Sequence, residues 1–192
     1  MRKDEYMMLR EEMMFNQKRQ DSITQFTYTT TVAIWAAALT VNNAWIVYSS
    51  LFMILLMTMR ISNCRRCIAF LAGYMKVALE PDLDLQWETK SFDYYEINKR
   101  TTSEWLLYVG SKFDFPILSI ISSLLFWGLR DWKFMIYNSV LLSHITLFIQ
   151  IFIIVFEMLL YFKYSSVATI KKKLIKNWEI VQKNEKEFSC IK

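Results

Sequence analysis

Residues that interrupt helices are scarce in this sequence, which has three glycines, two prolines and one histidine among 192 residues. So few turn-forming residues argue against a fold of many short strands and favour long helices. The sequence also lacks a Gly-rich phosphate loop and a pair of histidines. Its single histidine, His144, falls in an apolar run, which disfavours a Ser-His-Asp triad. We therefore predict that the protein is not an enzyme and carries no cofactor.

Cysteine is rare as well, occurring only at Cys64, Cys67 and Cys190. The spacing of Cys64 and Cys67 matches half a zinc site or a redox pair. A structural zinc site needs four ligands, and His144 is poorly placed to join the three cysteines. A thioredoxin-like role needs a βαβ context that the sequence does not provide. We predict no metal site, and reduced thiols that pack on a helix at the cytoplasmic face.

Hydrophobic residues make up 54% of the chain, and charged residues are concentrated in separate windows. A soluble domain interleaves apolar and charged residues at a helical or strand period, so this segregation indicates a membrane protein. The first 21 residues contain as many acids as bases and no uninterrupted apolar stretch. They are therefore not a cleavable signal peptide.

Four apolar segments predict an all-α fold: a polytopic membrane helical bundle with four transmembrane helices and a helical cytoplasmic layer. The segments are Ile23–Val41, Ala44–Ile61, Phe115–Leu129 and Ile136–Phe162. The predicted regions are a cytoplasmic entry helix (1–22), a transmembrane hairpin (23–61), a cytoplasmic helix and loop region (62–113), a second transmembrane hairpin (114–162) and a basic cytoplasmic tail (163–192).

The sequence defines the first hairpin more clearly than the second. Asn42 and Asn43 form the whole turn of the first hairpin, and asparagine tolerates the left-handed conformation that so short a turn requires. The third segment is short for a span, so we expect it to begin near Asp114, with Pro116 in the first helical turn. Residues 105–110 are then expected to lie at the membrane interface.

The distribution of lysine and arginine predicts the topology. Twenty-one of the 23 cations fall in residues 1–22, 60–113 and 163–192. Arg130 and Lys133 are the other two, and the Asn42–Asn43 turn has none. The positive-inside rule then places both termini and the long loop on the cytoplasmic side of the inner (plasma) membrane.

The cytoplasmic segments also have helical patterns. Tyr6, Leu9 and Met13 lie on one face of the entry helix. An apolar stripe continues beyond the second segment, and we expect Pro81 to end that helix; the stripe residues are Ile68, Leu71, Met75 and Leu79. The alternation of Leu83, Leu85 and Trp87 suggests an extended stretch. The tail is typical of a basic amphipathic helix.

Polar residues in the fourth segment recur at helical spacing and share one face: Ser143, Thr146, Gln150 and Glu157. A carboxyl group in hydrocarbon is costly and should face a partner or water. This stripe either lines a pore or proton path, or makes interhelical hydrogen bonds that fix packing or the register of an oligomer. Small residues in the first and third segments favour a compact bundle, expected to form a homo-oligomer.

The cytoplasmic segments offer further candidate contacts. Residues for binding a small signal or a sensor protein are Arg10, Glu11, Glu12, Arg65, Arg66, Trp87 and Glu88. Ion pairing within the layer is the simpler interpretation of their charges. The basic residues Lys171, Lys172, Lys173 and Lys176 either bind anionic headgroups of the lipid bilayer or only determine topology. We expect no nucleic-acid partner.

A charged helix containing Leu9-Arg10-Glu11-Glu12 leads into a tight hairpin, the helix Arg60–Glu80 and the stretch Trp87-Glu88-Thr89. This layout, over about residues 5–90, resembles uncharacterised small bacterial inner-membrane proteins and, loosely, SLATT-type membrane effectors of bacterial conflict systems. The second hairpin departs from their two-span pattern. The resemblance implies an effector that assembles and permeabilises the inner membrane on a cytoplasmic signal, as in antiphage defence.

Two other functions compete with this expectation. A membrane-anchored scaffold or subunit would recruit a soluble partner through its cytoplasmic loop. A small transporter is the third candidate, although the sequence lacks the Gly- and Pro-interrupted spans typical of transporters.

Overall fold

The computed structural model describes residues 2–90, 102–129, 140–164 and 167–189. Its side chains are described in residues 2–90, 113–129, 143–163 and 172–184. Within these ranges the chain is helical apart from short turns, as the all-α prediction requires. The helices are α1 (Arg2–Val41), α2 (Ala44–Tyr74), α3 (Glu80–Leu83), α4 (Thr102–Leu129), α5 (Val140–Tyr164) and α6 (Val167–Ser189).

The chain divides into two compact units. Unit 1 comprises Met1–Asp21, Asn63–Trp105 and Lys163–Lys192, and unit 2 comprises Ser22–Ser62 and Leu106–Phe162. Helices α1, α2, α4 and α5 contribute residues to both.

Helix α1 unites the predicted entry helix and the first apolar segment in 40 continuous residues, because no glycine or proline interrupts them. It ends at Asn42, whose φ of 52° is left-handed. The N–H groups of Asn42 and Asn43 donate to the carbonyls of Leu39 and Ala38 at 3.3 and 3.0 Å, which is the Schellman arrangement. The Asn43 side chain then caps α2 by accepting the N–H of Trp45 at 3.0 Å. The predicted two-residue turn is confirmed.

The expectation that Pro81 ends the second helix is wrong. A π-helical turn, Met75–Leu79, joins α2 to α3, and Pro81 lies in the first turn of α3, where its missing N–H costs no hydrogen bond. The helical run ends instead at Asp84, which has a φ of 53°. Because Pro81 has no N–H for the carbonyl of Val77, that carbonyl is free to accept the Gln182 amide, at 3.4 Å.

The extended stretch suggested by Leu83, Leu85 and Trp87 is also absent, since residues 87–90 are helical. The carboxylate of Glu80 accepts the N–H groups of Glu88 and Thr89, which are the first donors of this new turn. Such donors have no partner within their own helix, so a carboxylate from elsewhere stabilises the helical conformation.

The third apolar segment begins well before the predicted start near Asp114. The described part of α4 starts at Thr102 and includes residues 105–110, which were expected to form a separate interfacial stretch; their side chains lie outside the described set. Pro116 is in the interior of α4 and not in its first turn. Its ring is fully buried between buried Phe115 and Leu118, so packing offsets the lost backbone hydrogen bond.

Pairwise contacts define the helix order within unit 2. Tyr28 stacks on Phe115 and the Trp35 indole donates to Ser122, so α1 and α4 run parallel. Helices α2 and α5 each run antiparallel to α4, as shown by the contacts Trp45–Phe126, Ser50–Ser122, Phe113–Tyr161 and Trp127–Gln150. The two apolar clusters of the core include Leu51, Phe126 and Ile153 in one, and Ile54, Ile61 and Phe115 in the other.

Among the described residues, two helical stretches are long and apolar enough to cross a membrane, Ala44–Leu83 and Ser143–Lys163. They correspond to the second and fourth predicted spans. The first predicted span is rich in threonine, which lowers its apolarity. The described apolar part of the third, Phe113–Leu129, is shorter than a full span. The four-span topology therefore stays a prediction.

Candidate functional site

The four polar residues of the fourth segment lie on the buried face of α5. Ser143, Thr146, Gln150 and Glu157 are all buried, and Glu157 is 0% exposed. The Thr146 hydroxyl donates to the Ser143 carbonyl within the helix at 2.9 Å. The side-chain oxygen of Gln150 accepts the indole N–H of Trp127 from α4 at 2.8 Å. The four residues therefore share one face, as the helical spacing predicts, and Gln150 on this face contacts α4.

Helix α4 presents three serines to the interior of unit 2. The Ser122 hydroxyl accepts the Trp35 indole N–H at 3.0 Å and lies 3.1 Å from the Ser50 hydroxyl. It thereby connects α1, α2 and α4. Ser119 is fully buried and Ser123 is half-buried, and neither hydroxyl has a hydrogen-bond partner among the described residues.

Several other buried polar atoms of unit 2 also have no hydrogen-bond partner within the described structure. They are both carboxylate oxygens of Glu157, the Gln150 side-chain nitrogen, and the hydroxyls of Thr31 and Tyr48. Most buried polar atoms in folded proteins are paired, because each unpaired one costs about 1–3 kcal/mol. A group of them in one interior indicates a place for water, an ion or a proton.

These atoms lie at successive levels of the bundle. Because α1 and α4 run parallel and Tyr28 contacts Phe115, Thr31 on α1 lies at about the same height as Leu118 and Ser119 on α4. The Ser119 hydroxyl lies close to the Glu157 carboxyl, although the two do not have hydrogen-bond geometry. Glu157 was predicted from its spacing, whereas Ser119 was recognised only as a small residue that permits close packing.

Unit 1 brings part of the predicted cytoplasmic site together. The Arg10 guanidinium lies 5.5 Å from the centre of the Trp87 ring, within cation–π distance. Glu88 follows Trp87 and is 5% exposed. Tyr6 lies near Arg10 and Glu88 and packs on Met75 and Leu79.

Glu80 is the residue of this cluster that was missing from the predicted set. It is 2% exposed. Its carboxylate accepts the backbone N–H of Glu88 at 2.5 Å, and both the N–H and the hydroxyl of Thr89 at 3.2 and 2.8 Å. The sequence gives no signal for this role, because the donors come from a turn that was expected to be extended.

The environment of Tyr6 is both buried and acidic. Burial raises the pKa of the Tyr6 phenol above its usual value, the Glu80 carboxylate adds to the rise, Arg10 opposes it, and Glu88 contributes further. The phenol is consequently kept neutral over a wider pH range than a free tyrosine.

The remaining predicted contact residues lie on α1, α2 and α6. Glu11, Glu12 and Arg66 are exposed, and Arg65 is half-buried on α2. Lys172, Lys173 and Lys176 are exposed on α6, while the side chain of Lys171 lies outside the described set. The opposite side of α6 carries Trp178, which packs on Phe70 and Tyr74.

A cavity of about 230 Å³ opens within unit 1 between the start of α1, the π-helical turn and α6. Its lining includes Glu5, Tyr74, Trp178 and the ion pair of Arg2 with Asp82. The Tyr74 hydroxyl donates to Glu5 at 3.0 Å. The walls therefore combine aromatic faces with both signs of charge.

Cys64 is buried and Cys67 half-buried on α2, both as free thiols, and Cys190 lies outside the described residues. The described residues contain no group of His, Cys, Asp and Glu that could hold a metal ion.

Comparison of the chain with protein-family models, with curated proteins and with solved structures gives no match.

Proposed function

We propose that the chain is a membrane-integral effector that oligomerises and permeabilises the inner membrane when a cytoplasmic signal engages residues of unit 1. The observation that carries the proposal is the buried polar face of α5, which ends in the unpaired carboxylate of Glu157. A helix that serves only as an anchor does not need a buried acid. The resemblance to SLATT-type effectors extends the proposal to antiphage defence.

The surface of unit 2 supports residence in a lipid bilayer. The core helix of a soluble protein is mostly buried, whereas only 33% and 28% of the two candidate spanning windows are buried. Large apolar side chains of α5 point outward, among them Phe148, Phe152, Leu159 and Phe162. So much exposed apolar surface is stable against lipid and unstable in water.

The cluster in unit 1 supports the sensing part of the proposal. Arg10 and Trp87 provide a cation and an aromatic face. The cavity of unit 1 is lined by other charged and aromatic residues, among them Glu5 and Trp178. Such groups suit a small charged ligand or a peptide of a sensor protein.

Membrane depolarisation tests the proposal. The full chain is induced in bacterial cells loaded with a potential-sensitive dye, with and without phage infection. We expect the wild type to depolarise the membrane and Glu157→Leu to lose most of the effect at equal expression. Phe148→Leu, at an exposed apolar position of the same helix, is the matched control. An electrically silent wild type under every trigger would contradict the proposal.

The topology has its own test. With the native cysteines replaced by serine, Asn43→Cys should react with a membrane-impermeant thiol reagent added outside intact cells. Glu12→Cys should react only after the cells are opened. The reverse pattern would refute the assignment of both termini to the cytoplasm.

A membrane-anchored scaffold is the second candidate, favoured by the ordered turn of residues 87–90 that Glu80 holds in place. It would recruit a soluble partner through the cytoplasmic loop. A stoichiometric soluble protein that copurifies with the wild type and is lost with Trp87→Ala, while the membrane stays polarised, would select the scaffold over the effector.

A further inference from the structure

Glu157 and Ser119 form an isolated polar pair in the interior of unit 2. Each side chain is 0% exposed, and the Ser119 hydroxyl is the polar side-chain group found close to the Glu157 carboxyl. Neither has a hydrogen bond of ordinary geometry within the described structure. A buried carboxylate without hydrogen bonds is among the least stable arrangements in a protein interior.

No described basic side chain neutralises Glu157. Between Ser22 and Val41, α1 carries no charge. Besides Glu157, the described side chains of the other helices of unit 2 add only Arg60 on α2, Asp114 on α4 and His144 on α5, and the side chain of Lys112 on α4 lies outside the described set. Arg60 and His144 are exposed, and neither is found to act on Glu157. Because no described side chain compensates the negative charge, a bound cation or a proton is left to remove it.

The ligand count favours the proton. Glu157 supplies two oxygens and Ser119 supplies one. Hard metal cations such as Ca²⁺ and Mg²⁺ take six or more oxygen ligands, so three oxygens on two side chains bind them poorly. A proton needs one oxygen, and the resulting O–H can donate to the neighbouring hydroxyl.

Other unpaired polar atoms continue from this pair along the α4–α5 contact. Ser123 lies one helical turn beyond Ser119, and no described residue forms a hydrogen bond with its hydroxyl. The unpaired side-chain nitrogen of Gln150 lies two turns from Glu157, toward the start of α5. These atoms recur at intervals of about 6–10 Å along the helices, so water molecules can bridge from one to the next.

We propose that Glu157 is a proton-binding group and that, if the proposed permeabilisation holds, the ion that crosses the bundle is the proton. Glu157 accepts the proton on one carboxylate oxygen and releases it to water along the atoms of Ser119, Ser123 and Gln150. No covalent bond to carbon forms or breaks.

Dicyclohexylcarbodiimide tests the binding step. This apolar reagent adds to a protonated carboxyl group and leaves a stable N-acylurea. On the full chain in liposomes, mass spectrometry should find the adduct on Glu157 and not in Glu157→Gln. Labelling should fall about tenfold per pH unit above the midpoint of titration, and sodium ions should not protect.

Two results of this experiment would overturn the binding step. One is an unlabelled Glu157 between about pH 5 and pH 9, in a sample whose exposed Glu12 reacts with a water-soluble carbodiimide. The other is protection by sodium at constant pH, which would make the site a metal-cation site. Thermal unfolding of Glu157→Gln verifies that this variant is folded.

Proton flux into the same liposomes, followed with an entrapped pH dye, separates this inference from the proposed function. We expect a proton leak that Glu157→Gln lowers about tenfold or more, without potassium flux. Labelling without flux of any ion would support the proton site and contradict permeabilisation. A leak of ions or dye that Glu157→Gln retains would support permeabilisation and contradict the role of Glu157.

Discussion

Trp127 on α4 donates its indole N–H to the side-chain oxygen of Gln150 on α5 across 2.8 Å. Gln150 is 1% exposed, so water does not compete for this bond. The pair sets the register of two antiparallel helices, and the aromatic contact of Phe113 with Tyr161 sets it again further along.

Replacing Gln150 with leucine should therefore destabilise unit 2. The indole N–H of Trp127 would stay in the interior without its acceptor, at a cost of about 1–3 kcal/mol. Unfolding of the detergent-solubilised protein, followed by helical circular dichroism, measures the change. Phe148→Leu on the exposed face of α5 is the control, and equal stability of the two variants would show that the hydrogen bond contributes little.

Gly73 lies where α6 packs on α2 within unit 1, with room for a Cβ but not for a large side chain. A Cβ at this position would lie 3.4 Å from the Trp178 ring and 3.6 Å from Leu174. We expect Gly73→Leu to displace Trp178 and weaken the docking of α6 by about 1–3 kcal/mol. Faster tryptic cleavage after Lys172, Lys173 and Lys176 would report the displacement.

Gly128 provides the matched control for that substitution. A Cβ added there meets no atom within 4 Å. Gly128→Leu should leave the cleavage rate unchanged, and an equal increase in both variants would mean that the effect comes from leucine itself.

Replacing Glu80 with alanine should release the turn of residues 87–90. The variant loses the acceptor of two N–H groups and one hydroxyl, and hydrogen bonds to a charged group contribute about 1.5–3 kcal/mol each. Hydrogen exchange of the Glu88 and Thr89 amides should accelerate strongly. Glu12→Ala, at an exposed position on α1, should leave both amides protected; unchanged exchange in Glu80→Ala would refute the capping role.

The raised pKa of Tyr6 leads us to expect that the folded protein loses stability at alkaline pH. Because burial and Glu80 raise the pKa of the folded phenol above that of the unfolded chain, the unfolded state releases its proton first as pH rises. The stability that the neutral phenol of Tyr6 contributes to the folded state is intact below about pH 10 and is lost as pH rises through the folded pKa. Tyr6→Phe should therefore lose less stability than the wild type between about pH 9 and pH 11 in chemical denaturation. If the stability of both proteins fell equally with rising pH, the titration of Tyr6 would not be the cause.

Local patterns in the sequence predicted several elements that the structure confirms. The Asn42–Asn43 turn, the buried stripe of Ile68, Leu71, Met75 and Leu79, and the helical tail all follow from residue spacing and from the preference of asparagine for left-handed backbone. The face shared by Gln150 and Glu157 was predicted in the same way, because the helical period alone determines which residues align.

Features that depend on residues far apart in sequence were not predictable. Pro116 lies inside α4 because buried neighbours offset its missing hydrogen bond, and Pro81 follows a π-helical turn that no local pattern indicated. The turn at residues 87–90 depends on Glu80, seven residues or more upstream. The pairing of Glu157 with Ser119 required knowledge of the α4–α5 register.

The Schellman turn at Asn42 has a consequence for membrane insertion during synthesis. The threonine-rich half of α1 is the less apolar partner of its hairpin, whereas α2 contains one of the two stretches apolar enough to span a membrane. In the proposed topology, a turn of two residues that satisfies its own backbone groups would allow the pair to enter the bilayer as one body during synthesis. In the proposed topology α1 then needs no insertion signal of its own, because α2, translated immediately after it, carries both across.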